Sequence, residues 1–111
     1  MIKRGDIFYA ELDVGQGSEQ NGCRPVVILQ NNKGNRHSTT TIAAMITSAR
    51  KKDLPTHVFL KREDSGLQED SIVLLEQIQT LDKTRLTNKV GCLGKTTMLQ
   101  VDRAVRKSLC L

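Results

Sequence analysis

Tryptophan is absent from this chain, and Phe8, Tyr9 and Phe59 are the only aromatic residues among its 111. The extensive base stacking of many single-strand binders is thus poorly supplied, and recognition of a nucleic acid would fall to arginine planes and hydrogen bonds. Cysteine is scarce and odd in number. Cys23, Cys92 and Cys110 lie far apart, without a CxxC pair or a histidine at zinc-ligand spacing, so neither a disulfide framework nor a zinc site is expected. No apolar run approaches the roughly 18 residues that a membrane span needs. The start, Met1 to Asp6, turns polar and then strand-like without a cleavage site, which argues against a secretory signal and for the cytoplasm. Repeats, low-complexity tracts and linkers are missing too, so residues 1–111 read as a single domain.

Positive charge is what the chain has in surplus. Seventeen Lys and Arg stand against twelve Asp and Glu, for a net charge of +5 and a pI near 9.4, a balance that favours a polyanionic partner. The charge is distributed over Lys3-Arg4, Arg50-Lys51-Lys52, Lys61-Arg62 and Arg103 to Lys107, so it does not reduce to one basic tail.

Six short strands are expected: Ile7 to Leu12, Arg24 to Gln30, Thr39 to Thr47, His57 to Lys61, Ser71 to Thr80 and Leu86 to Leu93. Turn chemistry separates the later ones at Glu63 to Gly66 and at Asp82 to Thr84. Met98, Val101, Val105 and Leu109 recur at three- and four-residue steps, which predicts one closing amphipathic helix over Thr97 to Leu109. Thr96 or Thr97 is expected to cap it, and Asp102 with Arg106 forms a candidate i,i+4 pair. Short strands with a late helix point to a small, strongly bent β-barrel, because closure removes exposed strand edges.

The densest chemistry lies in Gly17 to Asn31. There a polar loop with Gly15, Gly17 and Gly22 runs into a hydrophobic strand that opens with Arg24-Pro25. Glycines permit close approach to a ligand, and an arginine fixed at a strand mouth can grip a phosphate. Spacing alone leaves open that Gly17 to Gln20 is a solvated turn, that Thr47 is only a β-former, and that Glu76-Gln77 marks a strand leaving the core.

Taken in order along nearly the whole chain, the motifs resemble the mRNA interferase toxins of the MazF, PemK and Kid group, and most closely the MazF toxins of Gram-positive bacteria. These motifs are Lys3-Arg4-Gly5-Asp6-Ile7, Gly17-Ser18-Glu19-Gln20, Arg24-Pro25-Val26-Val27, Gln30-Asn31, Ile46-Thr47, Leu54-Pro55-Thr56-His57-Val58, Asp70-Ser71 and Leu75-Glu76-Gln77-Ile78. The resemblance implies an SH3-like barrel, mainly β with a C-terminal helix, of the CcdB/PemK-like kind. It also implies a homodimeric toxin of a type II toxin-antitoxin system, a ribosome-independent endoribonuclease that cuts single-stranded mRNA at a short sequence without a metal ion or other cofactor. Its partner would be a MazE-like antitoxin that covers the basic groove. The resemblance puts the catalytic pair at Arg24 and Thr47, and RNA contacts at Ser18, Glu19, Gln20, Glu76 and Gln77. Cys23 and Asn32 depart from the family pattern, where a small or branched apolar residue and an aspartate are frequent.

The residue chemistry is compatible with that assignment. Metal-free RNA cleavage directs the 2′-hydroxyl at its own phosphate, which requires proton removal, stabilisation of phosphoryl charge and help for the departing 5′-oxygen. The Arg24 guanidinium suits the second task, and Thr47 can contact the phosphate or orient the 2′-hydroxyl. His57 and Glu19 are candidates for proton carriers, each with a groove-lining or base-reading alternative. Cys23 beside a guanidinium is a candidate reactive thiol, whose alkylation is expected to hinder RNA access. Two other classes compete: a protein-targeting toxin such as a gyrase poison on the same barrel, and an RNA-binding module that does not cut.

Overall fold

A computed structural model describes residues 1–12, 22–48 and 54–111. The expected six strands form one antiparallel sheet in the order β4-β5-β3-β2-β1-β6. They are β1 (Asp6–Leu12), β2 (Gly22–Ile28), β3 (Thr40–Ser48), β4 (His57–Leu60), β5 (Ser71–Asp82) and β6 (Leu86–Cys92). The short helices α1 (Asn32–His37) and α2 (Arg62–Ser65) interrupt them, a 3-10 turn spans Lys83–Arg85, and α3 (Lys95–Leu109) closes the chain.

The sheet curls enough to bury apolar side chains on both faces. Strand alternation divides them cleanly: Ile7, Val27, Ala44, Ile46 and Val73 lie on one face, with Val101 and Ala104 of α3 packed over them. Ala10, Leu12, Val26, Ile28 and Ala43 form a smaller cluster on the other. Completely burying Val101 stabilises the helix seating by about 2 kcal/mol, more than any surface pair on α3 can add.

The two ends of the sheet are drawn together by α2. It follows β4 directly, and its C-terminal Ser65-Gly66 lies against Val90-Gly91 of β6 so closely that side chains are excluded. A Cβ at Gly91 would fall 2.5 Å from the Ser65 carbonyl oxygen, and one at Gly66 would fall 2.6 Å from that of Val90. Gly66 also ends α2 with φ of 85°, a left-handed conformation that glycine adopts without strain.

Several local expectations change. The helix begins at Lys95 with Gly94 as its N-cap, so neither Thr96 nor Thr97 caps it. Asp102 pairs with Arg4 at 2.5 Å instead of Arg106, because the segment leading into β1 brings that guanidinium over α3. Helix α1 was not foreseen. It forms because Asn31 accepts from the Gly34 N–H at 2.7 Å as an N-cap, a signal hidden in a polar stretch with no apolar period. Asn32, the departure from the family's aspartate, still serves as an acceptor: its Oδ1 takes the Arg4 backbone N–H at 2.7 Å.

Candidate active site

Strands β2 and β3 pair through Ile28↔Ala43, Val27↔Ala44 and Val26↔Met45, and there the ladder stops. The next residue on β2 is Pro25, which has no N–H to donate. Beyond it the strands part around a cleft of 180 Å³, with Arg24 and Pro25 on one wall, Ile46, Thr47 and Ser48 on the other, and Leu67 to Glu69 with Ser71 and Tyr9 completing it. Continuing the register by two residues sets Arg24 opposite Thr47 on the same sheet face. The sequence therefore builds a cation and a hydroxyl, both half-buried, into facing walls of one opening.

Thr47 is held from behind, since β3 continues its pairing with β5 through Thr47↔Ile72 to Ser48↔Ser71. Arg24 is held by β1, opposite Ala10. Both backbones belong to the sheet, which limits the freedom of their side chains. Cys23, by alternation, faces away from Arg24 and does not line the cleft; its thiol is exposed.

A second polar constellation shares that sheet face. Pairing passes from Met45 through Leu74 to His57, two residues along from the Thr47, Ile72, Phe59 row. With strands about 4.8 Å apart and about 3.4 Å per residue, His57 lies about 12 Å from Thr47. Between Ala44↔Ile78 and Met45↔Leu74 the register jumps, so Leu75, Glu76 and Gln77 form a bulge with no partner on β3. Gln77 is exposed there. The Glu76 carboxylate instead turns to β4: Thr56 Oγ1 donates to Oε1 at 2.8 Å, and His57 Nε2 lies 3.1 Å from Oε2. Burial pushes the Glu76 carboxyl up, but the hydrogen bonds from Thr56 and His57 outweigh it and hold its pKa below the ordinary value.

Of the residues expected from sequence, Arg24 and Thr47 thus meet in the cleft, while Glu76 and Gln77 occupy a separate bulge on the same face. Ser18, Glu19 and Gln20 lie outside the described residues. The sequence reading missed Tyr9, Ser48 and Glu69 as cleft residues and Thr56 as a partner of Glu76. Thr56 lies beside His57 in the Leu54 to Val58 motif, and the Leu75 N–H bond to its carbonyl at 2.9 Å shows that it continues β4 toward the bulge. Among the described residues, no three His, Cys, Asp or Glu side chains gather with the geometry of a metal site. No described helix is long and apolar enough to cross a membrane.

Residues 3–109 match the family model described as the PemK-like, MazF-like toxin of type II toxin-antitoxin systems. The chain is 50% identical over 112 residues to endoribonuclease MazF of Staphylococcus epidermidis, covering 100% of this chain and 93% of that protein. Among solved structures, an endoribonuclease in complex with its cognate antitoxin from a mycobacterial species superposes with a TM-score of 0.83 at 28% identity, covering 100% of this chain and 97% of that one. Mycobacterium tuberculosis toxin MazF-mt6 gives 0.81 at 26% identity, over 96% and 97% of the two chains.

Proposed function

The chain belongs to the PemK-like, MazF-like toxin family of type II toxin-antitoxin systems and is an endoribonuclease, and from that premise we propose that it cuts single-stranded mRNA at a short recurring sequence, independently of ribosome and metal, with Arg24 and Thr47 as the catalytic pair. The observation that carries the residue assignment is the cleft at which β2 and β3 part, where Arg24 and Thr47 occupy facing walls.

The scissile phosphate sits between them. Arg24 holds two phosphoryl oxygens in its planar fork and stabilises the charge that grows on them as the 2′-oxygen attacks. Thr47 fixes the phosphate or the 2′-hydroxyl from the opposite wall, so that attacking oxygen, phosphorus and leaving oxygen approach a line. Glu76 and Gln77 meet the RNA farther along the same face, with Ser18, Glu19 and Gln20 contributing further contacts. Two chains act as a homodimer in the cytoplasm. A MazE-like antitoxin silences the enzyme by covering this face, and without it translation and growth stop. A mycobacterial endoribonuclease solved in complex with its cognate antitoxin supports an antitoxin as the partner.

The test is cleavage of a long single-stranded RNA in EDTA with the ends mapped, using the unaltered chain and folded Arg24→Ala and Thr47→Ala variants. Cuts at one recurring short word, lost in both variants, are expected. Cuts that need added divalent metal, or that survive Arg24→Ala, contradict the assignment. Binding of RNA should weaken with salt by a log–log slope of about −0.7 for each phosphate neutralised.

A further inference from the structure

The bulge in β5 leaves Glu76 without support from β3, because pairing on that side resumes only at Ile78. What fixes the carboxylate comes from β4. Thr56 Oγ1 engages one oxygen at 2.8 Å and His57 Nε2 the other at 3.1 Å. The second ring nitrogen, Nδ1, is buried and has no hydrogen-bond partner among the described residues. The Glu76 carboxylate only accepts, so the ring nitrogen that faces it must carry a proton. The ring proton therefore sits on Nε2, and the Nε2–H donates to Glu76.

Each Glu76 oxygen still has acceptor capacity, and the side chain is 38% exposed. The carboxylate is thus braced from one side and open on the other. An unbraced glutamate on a bulge would sample several rotamers, losing on binding the order that these two donors already impose.

We propose that His57 is a positioning residue for substrate selection: its Nε2–H, together with Thr56, fixes the Glu76 carboxylate as a directed acceptor, and so sets which base is accepted at the position Glu76 meets. An ionised carboxylate accepts hydrogen bonds and donates none, so the favoured base presents N–H donors there, such as an exocyclic amino group. This rests on the placement of Glu76 along the RNA path given above.

The experiment compares the unaltered chain with Glu76→Gln, His57→Leu and His57→Gln on a randomised single-stranded RNA. Cleaved ends are mapped, and kcat and KM are measured on oligonucleotides that differ at one base. Glutamine places an N–H near the position of Nε2, so it can restore the bond that leucine removes. Glu76→Gln and His57→Leu should relax the preference at the same single position, lowering the kcat/KM ratio between preferred and other bases about tenfold, mainly through KM, with His57→Gln recovering most of it. A folded His57→Leu with unchanged preference overturns the proposal, as does relaxation at a different position. Loss of kcat on every word would place His57 in the chemistry and overturn it as well. If Glu76→Gln alters no position, the proposal and the placement of Glu76 fail together, while loss of cleavage in Arg24→Ala still upholds the catalytic assignment. Should His57→Leu not fold, the ring itself decides: long-range proton–nitrogen correlation in the unaltered chain should find a His57 proton on Nε2, and an Nε2 without a proton overturns the proposal.

Discussion

Two polar clusters in this molecule are built from similar parts and end in opposite conditions. Around Asn35, which is only 2% exposed, the side-chain Nδ2 donates to the Gln30 carbonyl at 2.9 Å, while Oδ1 accepts from Gln30 Nε2 at 3.0 Å and from Thr41 Oγ1 at 2.7 Å. Its backbone carbonyl receives the Lys83 ammonium. This network closes on itself and ties α1, the end of β2, β3 and the 3-10 turn together. Around Glu76, by contrast, the carboxylate is 38% exposed with acceptor capacity left over. A saturated buried network acts on stability, whereas an unsaturated one at the surface keeps bonds in reserve for a ligand.

The Arg24–Thr47 cleft carries this contrast furthest, so the largest effect belongs there. Arg24→Ala should lower kcat on RNA by about 10³-fold, as expected for losing a preorganised charge stabiliser, with a melting temperature close to that of the unaltered chain. Single-turnover cleavage beside thermal unfolding checks this. A fall in stability that matched the fall in rate would make Arg24 a structural residue instead.

Asn35→Ala should behave in the reverse way. It strands Thr41 Oγ1, which is itself completely buried, and the Gln30 carbonyl, for a loss of about 2–3 kcal/mol, equivalent to a drop of roughly 10 °C in melting temperature. Gly91→Ala tests the other structural joint. A Cβ 2.5 Å from the Ser65 carbonyl must push α2 off β6, and urea unfolding should show a loss of about 1–3 kcal/mol. A neutral result at either position would mean that these contacts yield more easily than the close packing implies.

This division also explains what the sequence made legible. Strands with β-branched runs, such as Val26 to Ile28 and Ile72 to Val73, announce themselves by composition, and α3 does so by the spacing of Met98, Val101 and Val105. Arg24 and Thr47 stand out in the sequence because they lie in the Arg24-Pro25-Val26-Val27 and Ile46-Thr47 motifs. Helix α1 was silent because side-chain capping, not apolar period, creates it. Asp102 looked like a partner for Arg106 because the sequence displays helix neighbours and conceals Arg4, 98 residues away in the chain. Likewise the bracing of Glu76 by Thr56 and His57 depends on a break in register between β3 and β5, and a register break leaves no compositional mark.

The smallest predicted effect is the one that most sharply separates the two clusters. Because the folded-state pKa of Glu76 is lowered, its contribution to stability is fully present above its unfolded pKa and disappears as pH falls through the folded value. Its exposure limits that contribution to under about 1 kcal/mol. Glu76→Gln should therefore cost little at neutral pH and make the acid side of the stability curve slightly shallower, as measured by urea unfolding at pH 7 and at about pH 3. If Glu76→Gln instead cost as much at neutral pH as Asn35→Ala, the carboxylate would be part of the framework. An acceptor on which the fold depends so heavily could not turn toward a base without loosening the β4–β5 pairing. The small stability effect is thus a condition for Glu76 to be an acceptor held in place by the protein and used by the ligand.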